Sequence, residues 1–592
     1  MKGIPIAELF KATEIRDYDL HPNGRTAICT VNRGRNWELA TLDLRTGRVK
    51  RFLSSDESLT DASYSPSGDS TAYITDFQGD ENHDIVVIGT DGKKAKKLTG
   101  GGSDNFNHRF SPDGRTIAFA SNRDSDTENI FVVPSSGGKI AKLTREKMPV
   151  LMAFAWSPQG DRIAYQTGIG DEDTISVVNV RTGRTKKVLG KAGVDYWLSH
   201  YYGPPSPWSP DGKSLLYLSN EDDMLDIGAI DLQSMRSKWL VRSANEKAQP
   251  MWSPDGKALA YLEIEDPDIL LKVKRGQSTR TVSPRDGVSR DAQWLPDGSG
   301  LVFLSGSATR PQEMFIWRGS GPKRVTRFQK KPLEKALVRP RLVAFKSFDG
   351  RRIPALLFEP KDRTRRAGVV APHGGPEAQT LNEWDQLPQM LADKGFYVIE
   401  PNYRGSTGYG REFLHSHDKD LGGGDTADTV YAGKHLVESG LVDEDRLAYW
   451  GASYSGFTCM LALTKWPDMW AAGVSIVGFF DWETEMADER GYLKAYDTKK
   501  MGDPKKNPEF FKERSPINFL ENLRAPLLMT ASSQDVRCPP TESRAVVSRL
   551  KRIGKEHEYH EYPDEGHWPR KRKNLRDLYS RSTRFLDRHV PK

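Results

Sequence analysis

The first half of the chain alternates. Short runs such as Thr116-Ile117-Ala118-Phe119-Ala120 and Ser214-Leu215-Leu216-Tyr217-Leu218 are alternating or apolar, and polar turns separate them. Runs of this length bounded by turn residues predict short β-strands. A second run often follows after a polar gap, as in Asn129-Ile130-Phe131-Val132-Val133. The turns share one signature: His21-Pro22-Asn23-Gly24, Ser65-Pro66-Ser67-Gly68, Ser111-Pro112-Asp113-Gly114, Ser157-Pro158-Gln159-Gly160, Ser209-Pro210-Asp211-Gly212, Ser253-Pro254-Asp255-Gly256 and Leu295-Pro296-Asp297-Gly298. Proline presets such a turn and glycine supplies the positive φ that closes it. An aromatic residue frequently precedes it: Tyr64, Phe110, Trp156, Trp208, Trp252 and Trp294. The spacing, roughly 42 to 52 residues, is that of propeller blades. Units this short bury too little core to stand alone. The expectation for residues 1–335, including a short N-terminal segment, is a seven-bladed β-propeller.

The pattern then changes. The stretch 326–341 is basic and proline-punctuated, which suits a linker, and a boundary is expected near residue 335. A hairpin with its turn at Asp349-Gly350 opens the second domain, residues 336–592. Leu447-Ala448-Tyr449-Trp450 and Ala525-Pro526-Leu527-Leu528-Met529-Thr530-Ala531 read as buried strands, and Glu558-Tyr559-His560-Glu561-Tyr562 as a short one. Leu575, Leu578, Ser582, Phe585 and Leu586 share one side of a closing helix, expected on the sheet's outer face.

Chemistry concentrates at the ends of these strands. Trp450-Gly451-Ala452-Ser453-Tyr454-Ser455-Gly456 lies between a strand and a helix-like run. A serine on such a sharp turn is lifted off the sheet, as in the nucleophile elbow G-x-S-x-G of α/β-hydrolases, where the base and its orienter follow in the order Ser, Asp or Glu, His. Ser455 stands at the last glycine position, a small increase in bulk that the close helix–strand approach is expected to tolerate. Asp535 follows the strand at 525–531, and His567 lies on the turn Pro563-Asp564-Glu565-Gly566-His567-Trp568. Asp564 competes as the orienter, and His557, His560 and His589 compete as the base. Acyl transfer also needs preorganised N–H donors for the oxyanion. The Tyr454 amide and a glycine amide from the loop His373-Gly374-Gly375-Pro376 are candidates. The fold class expected here is an α/β-hydrolase with a doubly wound, mostly parallel sheet behind a propeller.

Residues 336–592 resemble the catalytic domain of the prolyl oligopeptidase family of serine peptidases. The resemblance rests on His373-Gly374-Gly375-Pro376, on Pro401-Asn402-Tyr403-Arg404-Gly405-Ser406-Thr407-Gly408-Tyr409-Gly410, on the Ser453 turn, on Asp535-Val536-Arg537 and on Asp564-Glu565-Gly566-His567. The His-Gly-Gly-Pro form is most similar to the acylaminoacyl-peptidase branch. The resemblance implies Ser453, Asp535 and His567 as catalytic residues, Gly375 and Tyr454 as the oxyanion hole, and Arg537 as the residue that holds a substrate carbonyl. Arg537 in a purely structural ion pair is the alternative. Seven repeats beside the triad suggest a toroid that excludes folded proteins and admits short, flexible peptides, and the resemblance implies a propeller before the hydrolase and frequent assembly into homo-oligomers. An esterase or amidase for small non-peptide substrates is one rival function, and a non-catalytic binding protein that uses the propeller as a recognition surface is the other.

Composition adds exclusions. Lys+Arg 87 against Asp+Glu 80 gives a net charge of +7, with no strongly clustered basic face of the kind nucleic acid requires. The densest basic run, Arg570-Lys571-Arg572-Lys573, next to His567, reads as a solvated helix start, with attraction of acidic or carboxylate-ended substrates as the alternative. Three cysteines, Cys29, Cys459 and Cys538, make no disulfide framework. No H-E-x-x-H or paired-cysteine motif occurs, and Asp124, Asp126 and Glu128 lack the spacing of a calcium loop, so no metal or cofactor is expected. The opening Met1-Lys2-Gly3-Ile4-Pro5 is not that of a signal peptide, and no run approaches a membrane span. The expected setting is cytoplasmic.

Overall fold

In the computed structural model, residues 6–150, 154–169, 172–198, 206–329 and 331–591 are described. The opening five residues, read above for a signal peptide, lie outside them. Strands from Glu14 to Arg324 pair antiparallel with their sequence neighbours and group in fours. Five four-stranded sheets are separate. The last two groups, 247–281 and 288–324, join through one parallel bridge, Ile269 to Val288, into an eight-stranded sheet.

The repeated turns lie between the first and second strands of each group. Their glycines all have positive φ, from 65° at Gly24 to 76° at Gly68. Each turn also rests on another repeat. A Cβ added to Gly114 would lie 3.5 Å from Pro66 Cδ, and one on Gly160 3.4 Å from Pro112 Cδ. The same geometry brings Gly24, in the first turn, to Pro296, in the last, at 3.3 Å. Tyr18 donates to the carbonyl of Val302 at 2.6 Å, so the first sheet is fastened to the last. The turn sequence therefore shapes both the hairpin and the contact between neighbouring sheets.

A second eight-stranded sheet follows in the order Arg341–Lys346, Arg352–Phe358, Phe396–Pro401, Ala367–Val370, Leu447–Ala452, Ala472–Ile476, Leu527–Ser532, His557–Tyr562. The first two pairings are antiparallel and the rest parallel. Alternate side chains feed two cores. Val369, Val398, Trp450 and Leu528 pack with Leu391, Leu578 and Leu586 on one face, while Val370, Ile399, Tyr449 and Leu527 pack with Leu436, Met460 and Leu550 on the other. Strands buried on both faces read as continuous apolar runs.

Three details differ from expectation. The stretch 326–341 carries the short helix Lys331–Ala336, and Leu337 joins the core of the second sheet. Leu9 and Phe10, grouped by sequence with the propeller, pack into that same core. The basic run is not a solvated helix start. Arg572 is buried and donates to the carbonyls of Phe10 and Asn32 at 2.6 and 2.7 Å, and Arg570 pairs with Asp76 at 2.7 Å. Only Lys573 is largely exposed. A sequence run of charges cannot reveal that a second domain closes over it.

Candidate active site

The strand Leu447–Ala452 ends in a turn at Ser453, and the helix Tyr454–Lys465 starts at the next residue. Ser453 has φ 58° and ψ −127°, a conformation that L-residues rarely adopt. Several neighbours fix it. The Ser453 amide donates to Ile476 at 2.9 Å. A Cβ on Gly451 would stand 1.9 Å from the Ser455 carbonyl oxygen, and one on Gly456 2.9 Å from that of Ile476. Close approach to the neighbouring strand is thus borne by Gly456 rather than by position 455. Ser455 does not merely fit: its buried hydroxyl accepts from the Ala452 amide at 2.8 Å and donates to the Ala452 carbonyl at 2.9 Å, pinning the turn.

Three distant segments meet here. His567 Nε2 lies 2.8 Å from Ser453 Oγ, and His567 Nδ1 lies 2.8 Å from Asp535 Oδ2. Asp535 Oδ1 also accepts the amides of Arg537 and Cys538 at 2.9 and 3.0 Å. The carboxylate is held from both sides and buried, so its charge faces the imidazole. The competitors are elsewhere engaged. Asp564 pairs with Lys571, His557 bonds the Lys555 carbonyl, and His560 and His589 face Asp577 and Glu556.

The glycine loop lies against the serine. A Cβ added to Gly374 would sit 3.4 Å from Ser453 Cβ, and Gly375 has φ 137°. His373 shapes this loop through Ser406 Oγ at 2.8 Å and the Gly374 carbonyl at 2.7 Å, stacked on Tyr403. Burial pushes the His373 imidazole down to about 4, so it stays neutral. The Tyr454 side chain is buried, with its hydroxyl on Asp425 and accepting the Gly422 amide at 3.0 Å. That leaves its backbone at the first turn of the helix, where amides lack intrahelical partners.

Propeller residues complete the surroundings, and these the sequence did not reveal. Arg537 Nε donates to Glu81 at 2.9 Å, with the arginine side chain 45% exposed. Burial works to raise the Glu81 carboxyl, but Arg537, with a smaller contribution from His567, outweighs it and holds it below the usual range. Gly79 packs on Gly566 so closely that a Cβ on Gly566 would stand 1.9 Å from the Gly79 carbonyl oxygen. Arg490 donates to the carbonyls of Asp80 and Glu81. One propeller loop, 76–83, therefore touches the loops that carry both Asp535 and His567. On the opposite side, Glu246 accepts the amides of Gly408 and Gly410 at 3.1 and 3.0 Å. Buried acidic residues scattered through strands of a repeat give no sequence signal of such a seam.

Among the described residues, one grouping brings possible metal ligands together, Glu377, His417 and Asp418. Lys500 Nζ lies 2.6 Å from Glu377 and 2.5 Å from Asp418, so an ammonium already balances them. The chain's cysteines are all free and buried. No helix among the described residues is long and apolar enough to cross a membrane.

Two family models match the chain. One, described as the prolyl oligopeptidase family, covers residues 382–592, and one, described as a TolB beta propeller domain, covers residues 22–195. The dipeptidyl aminopeptidase BIII of Pseudoxanthomonas mexicana is 29% identical over 307 residues, 49% of this chain and 44% of that protein. The acylamino-acid-releasing enzyme of Rattus norvegicus is 28% identical over 209 residues, 33% of this chain and 28% of that protein. The chain thus spans less than half the length of these curated relatives in the matched segments. Among solved structures, a puromycin-hydrolyzing peptidase of Mycobacterium tuberculosis superposes with a TM-score of 0.85 at 19% identity, covering 99% of this chain and 96% of that one. An acylaminoacyl peptidase of Pyrococcus horikoshii gives 0.76 at 19% identity, covering 100% and 98%. At such identities the likeness establishes the fold: a propeller joined to an α/β-hydrolase domain.

Proposed function

Since its C-terminal part, residues 382–592, belongs to the prolyl oligopeptidase family, we propose that this chain is a serine peptidase acting on short peptides through an acyl-enzyme. The observation that carries the reading is the relay Ser453–His567–Asp535, with both bonds at 2.8 Å and the serine on a strained turn. His567 takes the Ser453 proton as the hydroxyl attacks the scissile carbonyl, and Asp535 holds the imidazole tautomer and steadies the imidazolium. The amides of Gly375 and Tyr454 receive the oxyanion, each worth on the order of 3 kcal/mol in the barrier. His567 then protonates the leaving amine, and water repeats the sequence in reverse. Arg537, held by Glu81 through Nε and two residues past Asp535, positions a substrate carbonyl.

The seven turn contacts, closing from Gly24 to Pro296, support a seven-bladed propeller within residues 1–335, after a short N-terminal segment, with 336–592 as the catalytic domain. A ring set over the site excludes folded proteins and admits flexible peptides in a cytoplasmic setting. Degradation of a stably folded protein as fast as a ten-residue peptide would end the gating idea. The triad alone serves an esterase equally well, and the propeller favours the peptidase. Labelling by a fluorophosphonate, lost in Ser453→Ala, together with mass spectrometry of products from blocked and free peptides, tests the assignment. An unlabelled wild-type protein overturns it.

A further inference from the structure

Beside the triad lies a group of acidic side chains that the mechanism does not use. The helix Trp482–Asp488 carries Glu485, its C-cap is Glu489, and the helix Gly491–Met501 carries Asp497. Glu485 is 4% exposed and Glu489 8%. Glu485 Oε2 and Glu489 Oε1 are fully buried and have no hydrogen-bond partner. Burial, and then Asp497, push the Glu489 carboxyl well above the carboxylate range. Among the described residues, no lysine or arginine forms an ion pair with any of the three.

Their place relative to Ser453 is set by shared neighbours. Tyr454, Phe479, Trp482, Met486 and Cys538 form one buried cluster, which joins the residue after the serine to the loop after Asp535. Glu485 lies at the thiol of Cys538, three residues past Asp535, and within electrostatic reach of Asp535 itself. Aromatic side chains therefore pack beside the serine turn, with Glu485 next to them. Burial, and then Glu542 and Glu489, push the Glu485 carboxyl far above the carboxylate range. An uncompensated buried carboxylate is strongly unfavourable and holds its proton until a cation arrives. The three groups do not converge as a metal shell does: the grouping with that geometry is the one Lys500 occupies.

We propose that Glu485, backed by Glu489 and Asp497, forms the base of the pocket for the residue whose carbonyl Ser453 attacks, and that this pocket takes a cation. The ligand chemistry is an ammonium or guanidinium, from a lysine or arginine side chain or from the α-amine of an amino-terminal residue. Trp482 and Phe479 flank the stem or face the cation, as aromatic rings do. The inference rests on the peptidase reading above and names the substrate class of that same site.

The test compares kcat/KM for coumarin amides of acetyl-Lys, acetyl-Arg, acetyl-Leu, acetyl-Phe and Leu with a free amine. The expected result is at least a ten-fold preference for acetyl-Lys or acetyl-Arg over acetyl-Leu. A free-amine Leu amide that is at least ten-fold faster than acetyl-Leu supports the same site and assigns the α-amine as the source. Acetyl-Leu or acetyl-Phe cleaved as fast as every cationic substrate overturns the proposal. In Glu485→Gln, and in Asp497→Asn should the first variant fail to fold, the cationic-to-neutral ratio falls at least ten-fold. An unchanged ratio in a folded variant overturns it. Fluorophosphonate labelling of Ser453 separates the two readings: labelling without a cation preference sinks this proposal alone, and no labelling sinks both.

Discussion

The two halves of this molecule reach order by opposite routes. In the propeller strands pair with chain neighbours within groups of four, so short turns suffice. In the hydrolase half the sheet order departs from the chain order, and parallel strands need long crossovers. That difference decides where chemistry can collect. Ser453 and His567 are 114 residues apart in the chain, and His567 and Asp535 32 apart, yet the strand ends bring them into one hydrogen-bonded line. The propeller brings a hydroxyl, an imidazole and a carboxylate together more loosely, Ser63 Oγ 3.1 Å from His108 Nε2 and Asp61 Oδ2 3.7 Å from His108 Nδ1. Its contribution is made at the seam, where loop 76–83 meets the loops of Asp535 and His567.

The sharpest break of this contrast is Ser453→Ala. It is expected to lower kcat on a peptide amide roughly a million-fold while leaving the thermal midpoint nearly unchanged. Residual turnover near the wild-type rate would place the chemistry elsewhere. Next in size is the seam itself. Arg572→Ala removes two charge-assisted bonds to Phe10 and Asn32, and a loss on the order of 3 kcal/mol is expected in denaturant unfolding. A shift within 0.5 kcal/mol, roughly the surface-substitution range, would mean the halves are held by other contacts.

A smaller effect comes from His415, which joins propeller Asp195 to Asp418 at 3.1 Å each. Burial works to lower its pKa, but the two carboxylates outweigh it and raise it from 6.5 to about 9. A raised folded-state pKa stabilises fully below 6.5 and is lost as pH rises through about 9. Stability should therefore fall over that window by on the order of 2 kcal/mol, and His415→Gln should flatten the decline. An identical pH profile in the variant would remove this link from the seam. Smallest of all, Lys573→Ala, on the exposed member of the same basic run, should stay within about 0.5 kcal/mol, set against Arg572 one residue away.

Much of this was legible in sequence, for a reason that differs by region. The turn signatures carry their own backbone requirement, so Gly114 or Gly256 announces a hairpin without reference to anything distant. The order Ser453, Asp535, His567 follows from strand-end loops of a parallel sheet, and the apolar runs that mark those strands are long enough to read. Ser455 is accommodated, as its small bulk suggests, but its hydrogen bonds to Ala452 are not visible in the sequence. Arg572 was misjudged because exposure was inferred from charge.

The residues by themselves determined the local elements, the seven repeated turns and the identity of the three groups in the relay, since these depend on backbone preference and on patterning along the chain. Only the tertiary structure decided which charges are buried. Glu81 on Arg537, Glu246 on the 408–410 loop and the unpaired carboxyl of Glu485 all depend on surfaces that meet across hundreds of residues. Desolvation is a property of everything that packs around a group, and no single stretch of sequence carries it.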